Sequence, residues 1–312
     1  LPIYVKASNF TPFIPPSQPA STVEGSSAVT GVMTQPLWQF ATGMTPSVYG
    51  VPGILSGAAL VFFAFIGFDV VATASEETKN PHKNVPLGIG VGMLLIIVMY
   101  MLVAVVTTGM VSYADLAKQD SPSLATAFEL VGADWAAKII SFGIVLGLAT
   151  VVMVLLLGLT RIVFAMSRDG LLPRGLSKTG KHGTPAALQI VVGAVVALVA
   201  AFFDIGVLSD MVNIGTLSAF TLVAISIPIM RKKRPDLPRA FKMPGSPWIP
   251  ILIAVANFWL MLNLSVLTWI RFVVWLVVGF AIYFGYGYWH ARLGKGDLTE
   301  TLSAETDKAV NG

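Results

Sequence analysis

The chain has 312 residues, 55% of them hydrophobic and only 12% charged, with a mean hydropathy of +0.78. Those values exclude a pair of ordinary soluble domains and describe an integral membrane protein. With no Cys and three scattered His (His82, His182, His290) there is no disulfide, redox or zinc-ligand pattern, and the net charge of +4 comes from basic residues clustered in connections between apolar runs, which fits membrane insertion rather than nucleic-acid binding.

In chain order, residues 1–52 are rich in Pro, Ser, Thr and Gly, carry one Lys and one Glu, lack the regions of a signal peptide, and read as an exposed loop. Apolar windows long enough for a bilayer, about 20 residues each, then predict spans at 53–75, 86–110, 136–165, 185–203, 207–230, 248–266 and 270–289. The third is long enough to tilt or project. Connection 111–135 holds Asp115, Asp120, Glu129 and Asp134, and Ser123 to Val131 has helical spacing ended by Gly132. Residues 231–247 form a basic loop, and 290–312 are a polar tail. The Trp and Tyr residues of the last two spans suit an interfacial belt.

Fifteen Lys and Arg fall on one side of these spans and four on the other, which predicts a cytoplasmic basic side, an extracellular chain start and a cytoplasmic C-terminus. The first span is interrupted at Phe65-Ile66-Gly67-Phe68-Asp69. A Gly followed closely by a carboxylate at membrane depth is expected where freed backbone faces a ligand, an ion or water, so the pattern points to a transporter or channel. Asp69 is the only carboxylate well inside a predicted span. It suits either a proton relay or, with Gly67-Phe68 before it, a cap on the second half-helix.

The string from Gly57 to Pro86, with Phe65-Ile66-Gly67-Phe68-Asp69, Glu76-Glu77, Lys79-Asn80-Pro81 and the helix-opening Pro86, resembles the sixth helix and following loop of the amino acid-polyamine-organocation superfamily of permeases. Likeness is greatest to the cationic amino acid transporter branch. Thr160-Arg161 with Ser167-Arg168-Asp169-Gly170-Leu171-Leu172-Pro173 is similar to the end of that family's eighth helix, and Arg234-Pro235-Asp236-Leu237-Pro238 to the loop after its tenth. Members carry twelve or more helices, so the resemblance covers helices six to twelve and implies that the first five belong to the same protein as partners of this chain.

The implied fold is an all-α polytopic membrane protein: residues 53–230 as the second inverted five-helix repeat of a leucine-transporter-type fold, and 248–289 as two peripheral helices. The resemblance implies that the substrate ammonium rests on carbonyls at Phe63 and Ile66, within a binding stretch of Phe63, Ala64, Phe65, Ile66, Gly67 and Asp69. Phe63 would also lid the substrate. Thr150, Met153 and Leu155 would border the side-chain pocket, a plain packing face being the alternative for them. Glu76, Glu77 and Arg161 are candidate internal gates, or a solvated helix end and a snorkelling Arg. Thr150 lacks the adjacent hydroxyl of sodium-coupled relatives, which leans toward protons or exchange. Asn213, Gly215, Thr216 and Ser218 either line the pathway or make interhelical hydrogen bonds.

The expected function is secondary active transport of cationic or small neutral amino acids across the plasma membrane, by alternating access and proton-coupled uptake. Amino acid or polyamine exchange is the alternative within transport, and a seven-span receptor the rival class. No cluster of His, Asp or Glu suggests an enzyme, and no cofactor is implied.

Overall fold

A computed structural model of the protein describes residues 4–22, 31–68, 70–73, 78–119, 122–177, 185–235 and 245–291. Asp69, Glu76 and Glu77 lie outside the described residues. The chain divides into two compact units, Leu1–Ala149 with Gly206–Ile270 and Thr150–Ile205 with Arg271–Gly312.

Helices dominate both units. In order they are α1 Leu37–Thr42, α2 Gly50–Val61, α3 Val70–Thr73, α4 Pro81–Met110, α5 Tyr113–Ala117, α6 Leu124–Leu130, α7 Asp134–Arg168, α8 Ala186–Phe202, α9 Ile205–Lys233, α10 Trp248–Leu262, α11 Val266–Ile282 and α12 Tyr288–His290. A π-helical turn, Tyr283–Gly287, joins the last two. Two short strands, β1 Gln18–Pro19 and β2 Ser47–Val48, pair antiparallel.

Helix ends follow local chemistry. Pro81 opens α4 at a position whose amide needs no partner. Asp134 sits in the first turn of α7 and Arg168 in its last, each opposing the helix dipole. Ser123 Oγ caps α6 by accepting from the Thr126 amide at 3.1 Å, the short helix expected in connection 111–135. A second cap, Ser112 on the Asp115 amide at 3.2 Å, starts α5.

Among the described residues, four helical stretches are long and apolar enough to cross a membrane: Lys83–Met110, Asp134–Arg168, Ile205–Lys233 and Val266–His290. Three apolar helices expected to span are shorter: Gly50–Phe65, Ala186–Phe202 and Trp248–Leu262. The first is cut by its internal break. The second stops where Phe203 turns extended, and the third where Asn263 caps a tight turn into α11. The apolar windows of α4 and α7 have 0% of their residues buried, so their faces suit lipid or further protein.

Residues 4–22 and 31–48, expected to belong to an exposed loop, are folded as part of the first unit. The Lys6 amide and Asn9 Nδ2 donate to the Gly109 carbonyl at 2.8 and 2.9 Å, at the end of α4. That end belongs to a buried cluster of Met110, Val111, Ala125, Ala127, Phe128, Ala133 and Ala137. Farther along, Pro36 bridges Ser265, the Leu37 amide donates to Leu264 O at 3.0 Å, and the Leu267 amide to Met33 O at 2.8 Å. Trp38 Nε1 donates to Asn263 Oδ1 at 3.0 Å while its ring stacks on Trp259. The segment therefore covers the turn between α10 and α11.

In the second unit the chain reverses after α7. Ser167 is fully buried and donates to Pro173 O at 2.7 Å, and the Leu171 amide returns to Met166 O at 2.9 Å. Gly170, with φ +82°, lies against the His290 carbonyl.

Candidate functional site

The first apolar helix is broken where the sequence pattern places it. α2 ends at Val61, tightens into a 3₁₀ turn over Phe62–Phe65, and gives way at Ile66, which is extended at φ −67° and ψ 137°. Gly67 follows with φ +118°, a conformation open to glycine and costly for a side chain. Helical geometry then resumes, the Val70 amide donating to Gly67 O at 3.2 Å and the Val71 amide to Phe68 O at 3.3 Å. The break thus exposes the carbonyl end of one helix and the amide end of another, with opposite partial charges.

Neighbouring helices hold the break. On α4, Tyr100 Oη donates to Ala64 O at 2.9 Å and the Tyr100 ring meets Phe65 edge-on, centroids 5.1 Å apart. On α9, Phe220 packs against Phe62 at 6.2 Å and Phe68 at 5.4 Å, one ring from each side of the break. Asn213, also on α9 and fully buried, donates to Leu60 O at 3.4 Å, and its Oδ1 has no hydrogen-bond partner among the described residues.

The residues singled out from sequence are distributed as follows. Phe63 is 43% exposed, and its carbonyl already accepts from the Ile66 amide at 3.2 Å, leaving one lone pair for a ligand. Ala64, Phe65, Ile66 and Gly67 form the break itself. Asp69, Glu76 and Glu77 lie outside the described residues. Thr150, Met153 and Leu155 are exposed on α7 in the second unit. Three residues apart, Thr150 and Met153 share a face, whereas Leu155 is turned by more than half a revolution from Met153. Arg161 is half-buried farther along the same helix. On α9, Asn213 makes the interhelical bond described above, and Ser218 turns its hydroxyl into Gly215 O of its own helix at 2.7 Å.

Tyr100 and Phe220 were not among the predicted site residues. Tyr100 carries the only side-chain polar atom between Leu94 and Val106, a signal that was present in the sequence. Phe220 sits in an apolar stretch with nothing to mark it. A further polar contact, Thr268 Oγ1 donating to Asp210 Oδ2 at 3.1 Å, joins α11 to α9, with Thr268 fully buried.

Two cavities, of about 490 and 480 Å³, lie beside residues 4–15 and the end of α4, and no break residue lines either. Among the described residues no group of three His, Asp or Glu could hold a metal ion.

Comparison with known proteins shows the family. A family model described as amino acid permease matches residues 2–288. The chain is 47% identical over 247 residues to the branched-chain amino acid permease BcaP of Bacillus subtilis (strain 168), covering 79% of this chain and 53% of that permease. It is 43% identical over 248 residues to the methylthioribose transporter of the same organism, with the same coverage of 79% and 53%. It is 45% identical over 195 residues to cationic amino acid transporter 3, mitochondrial, of Arabidopsis thaliana, covering 62% of this chain and 31% of that transporter. The expected cationic branch is thus present among the relatives, beside a branched-chain permease. The chain spans about half the length of the two Bacillus relatives that it matches. It belongs to the amino acid permease family, within the amino acid-polyamine-organocation superfamily.

Proposed function

We propose that this chain forms the part of a secondary active amino acid permease that holds the substrate's ammonium group, and that the whole permease works by alternating access in the plasma membrane. One observation carries the reading: an apolar helix interrupted at Ile66, Gly67 and Phe68, with Gly67 at φ +118°. Carbonyls at the end of the first half, at Phe63 and Ile66, attract an ammonium, and the amide end of the second half favours negative charge. Phe63 closes the site from outside.

In this reading residues 53–230 are the second repeat and 248–289 a peripheral pair, giving seven spans with an extracellular start. Support for one external face comes from the packing of residues 33–38 on the turn after α10, and of Lys6 and Asn9 on the end of α4. Transport is proton-coupled and the substrates are amino acids with neutral side chains, the branched-chain ones first, because the Bacillus permease matches over more of the chain than the Arabidopsis cationic transporter. Aromatic rings around the described break suit such side chains. The methylthioribose transporter, matched at 43% identity, favours a second reading in which the same break accepts a neutral thio-sugar.

The test is uptake by the whole permease in liposomes of labelled leucine, alanine, arginine, lysine and methylthioribose, with and without an inward proton gradient. Saturable, gradient-stimulated leucine uptake is expected. Uptake only into vesicles preloaded with amino acid would replace symport by exchange, and uptake of methylthioribose alone would establish the second reading.

A further inference from the structure

We infer that Tyr100 and Phe220 are positioning residues that splint the broken helix from two sides, fixing the carbonyls of the break where a substrate would meet them. The inference rests on the proposal that the break is the substrate site, and deepens it. Neither residue belongs to the broken helix: Tyr100 comes from the middle of α4 and Phe220 from α9.

When a helix ends inside a bilayer, its last carbonyls lose their intrahelical donors, and each one left unsatisfied is costly. Tyr100 removes one such carbonyl from competition by donating to Ala64 O at 2.9 Å, between the Phe63 and Ile66 carbonyls assigned to the ammonium. Its ring, edge-on to Phe65, keeps the hydroxyl in place. Phe220 acts across the gap. Its ring meets Phe62 before the break and Phe68 after it, so one side chain spans the two half-helices on either side of Gly67, whose φ is +118°. Asn213, less than two turns before Phe220 on α9, holds Leu60 O and ties the same helix to the end of α2. A break of this kind left to itself is a hinge, whereas a binding site needs its polar atoms held to within about 0.5 Å.

The experiment uses the chain's lack of Cys. In the whole permease, made free of other Cys and placed in liposomes, Ile66→Cys supplies one thiol in the break. Its reaction rate with a small maleimide is measured with and without excess leucine, and separately arginine. Tyr100→Phe removes one oxygen and keeps the ring; Phe220→Leu keeps the apolar character and loses the two ring contacts. Tyr100→Phe is expected to raise the labelling rate about five-fold, the factor that one net hydrogen bond is worth, and Phe220→Leu, which loses two ring contacts, at least as much. Tyr113→Phe, which removes a hydroxyl from α5, should leave the rate unchanged. Unchanged rates in both Tyr100→Phe and Phe220→Leu would overturn the splint even if substrate protects the thiol. Faster labelling with no protection by either amino acid would keep the splint and sink the break as the amino acid site. Should Phe220→Leu fail to fold, the single-oxygen change at Tyr100 decides.

Discussion

Gly67 and Gly170 both have positive φ, at +118° and +82°, yet they stand in opposite surroundings. Gly170 is buried at the end of α7, and a Cβ there would strike the His290 carbonyl, so backbone packing dictates the residue. Gly67 follows an extended Ile66 inside an apolar helix, and rings and a hydroxyl from other helices brace the turn around it. One glycine closes a fold and the other opens a helix. A positive φ is therefore not by itself a mark of function; what separates the two cases is whether the neighbours are backbone pressed into the site or side chains holding it apart.

The largest effect should come from Gly67→Val. A β-branched side chain at φ +118° forces the break into another conformation, and the carbonyl and amide ends lose their arrangement. Leucine uptake by the whole permease should fall by a factor of about 100 or more, while the amount in the membrane stays the same, measured by uptake and immunoblot on one preparation. Normal uptake would remove the break from the mechanism. Gly170→Ala should do the reverse. Positive φ and the collision with His290 together cost about 2–4 kcal/mol, so the detergent-solubilised protein should melt several degrees lower. Uptake per folded molecule should not change, and a selective loss of uptake would mean that this turn also moves during transport.

The break was legible because two rules of the bilayer conflict with the residues at that point. Gly67 and Asp69 violate the apolar helical pattern in a place where violation needs a cause. The short helix after Ser123 was legible from apolar residues at helical spacing ended by Gly132, although its cap at Ser123 was not read. The contacts of residues 4–22 and 31–48 were not legible, because their partners are remote. Trp38 bonds Asn263 across 225 positions, and a segment rich in Pro and Ser gives no periodic signal of a surface that it will meet. The lengths of the apolar helices were only partly legible. Hydropathy marks where a helix can run, but the stop at Asn263 depends on a turn whose far side is held by Met33 and Gln35. In the site itself, Tyr100 carried a weak signal and Phe220 none, since a ring in an apolar run looks the same whether it faces lipid or bridges a break.

The smallest effect sharpens the reading of Gly170. The side chain of His290 stacks on Tyr286 at 4.2 Å, and its Nδ1 lies 2.9 Å from Tyr286 O, within its own helical turn. If the neighbour that forbids a side chain at Gly170 is the His290 carbonyl, the His290 ring is incidental to that contact. His290→Ala keeps the carbonyl and removes one exposed stack, which should cost about 0.5–1 kcal/mol, less than Gly170→Ala. The two changes should add when combined, because the ring and the collision share no atoms. Thermal melts of the two single variants and the double variant test this directly. A double variant markedly more stable than the sum would show that losing the ring lets the C-terminal backbone move away from Gly170, and that the contact is set by the His290 side chain rather than by the path of the chain.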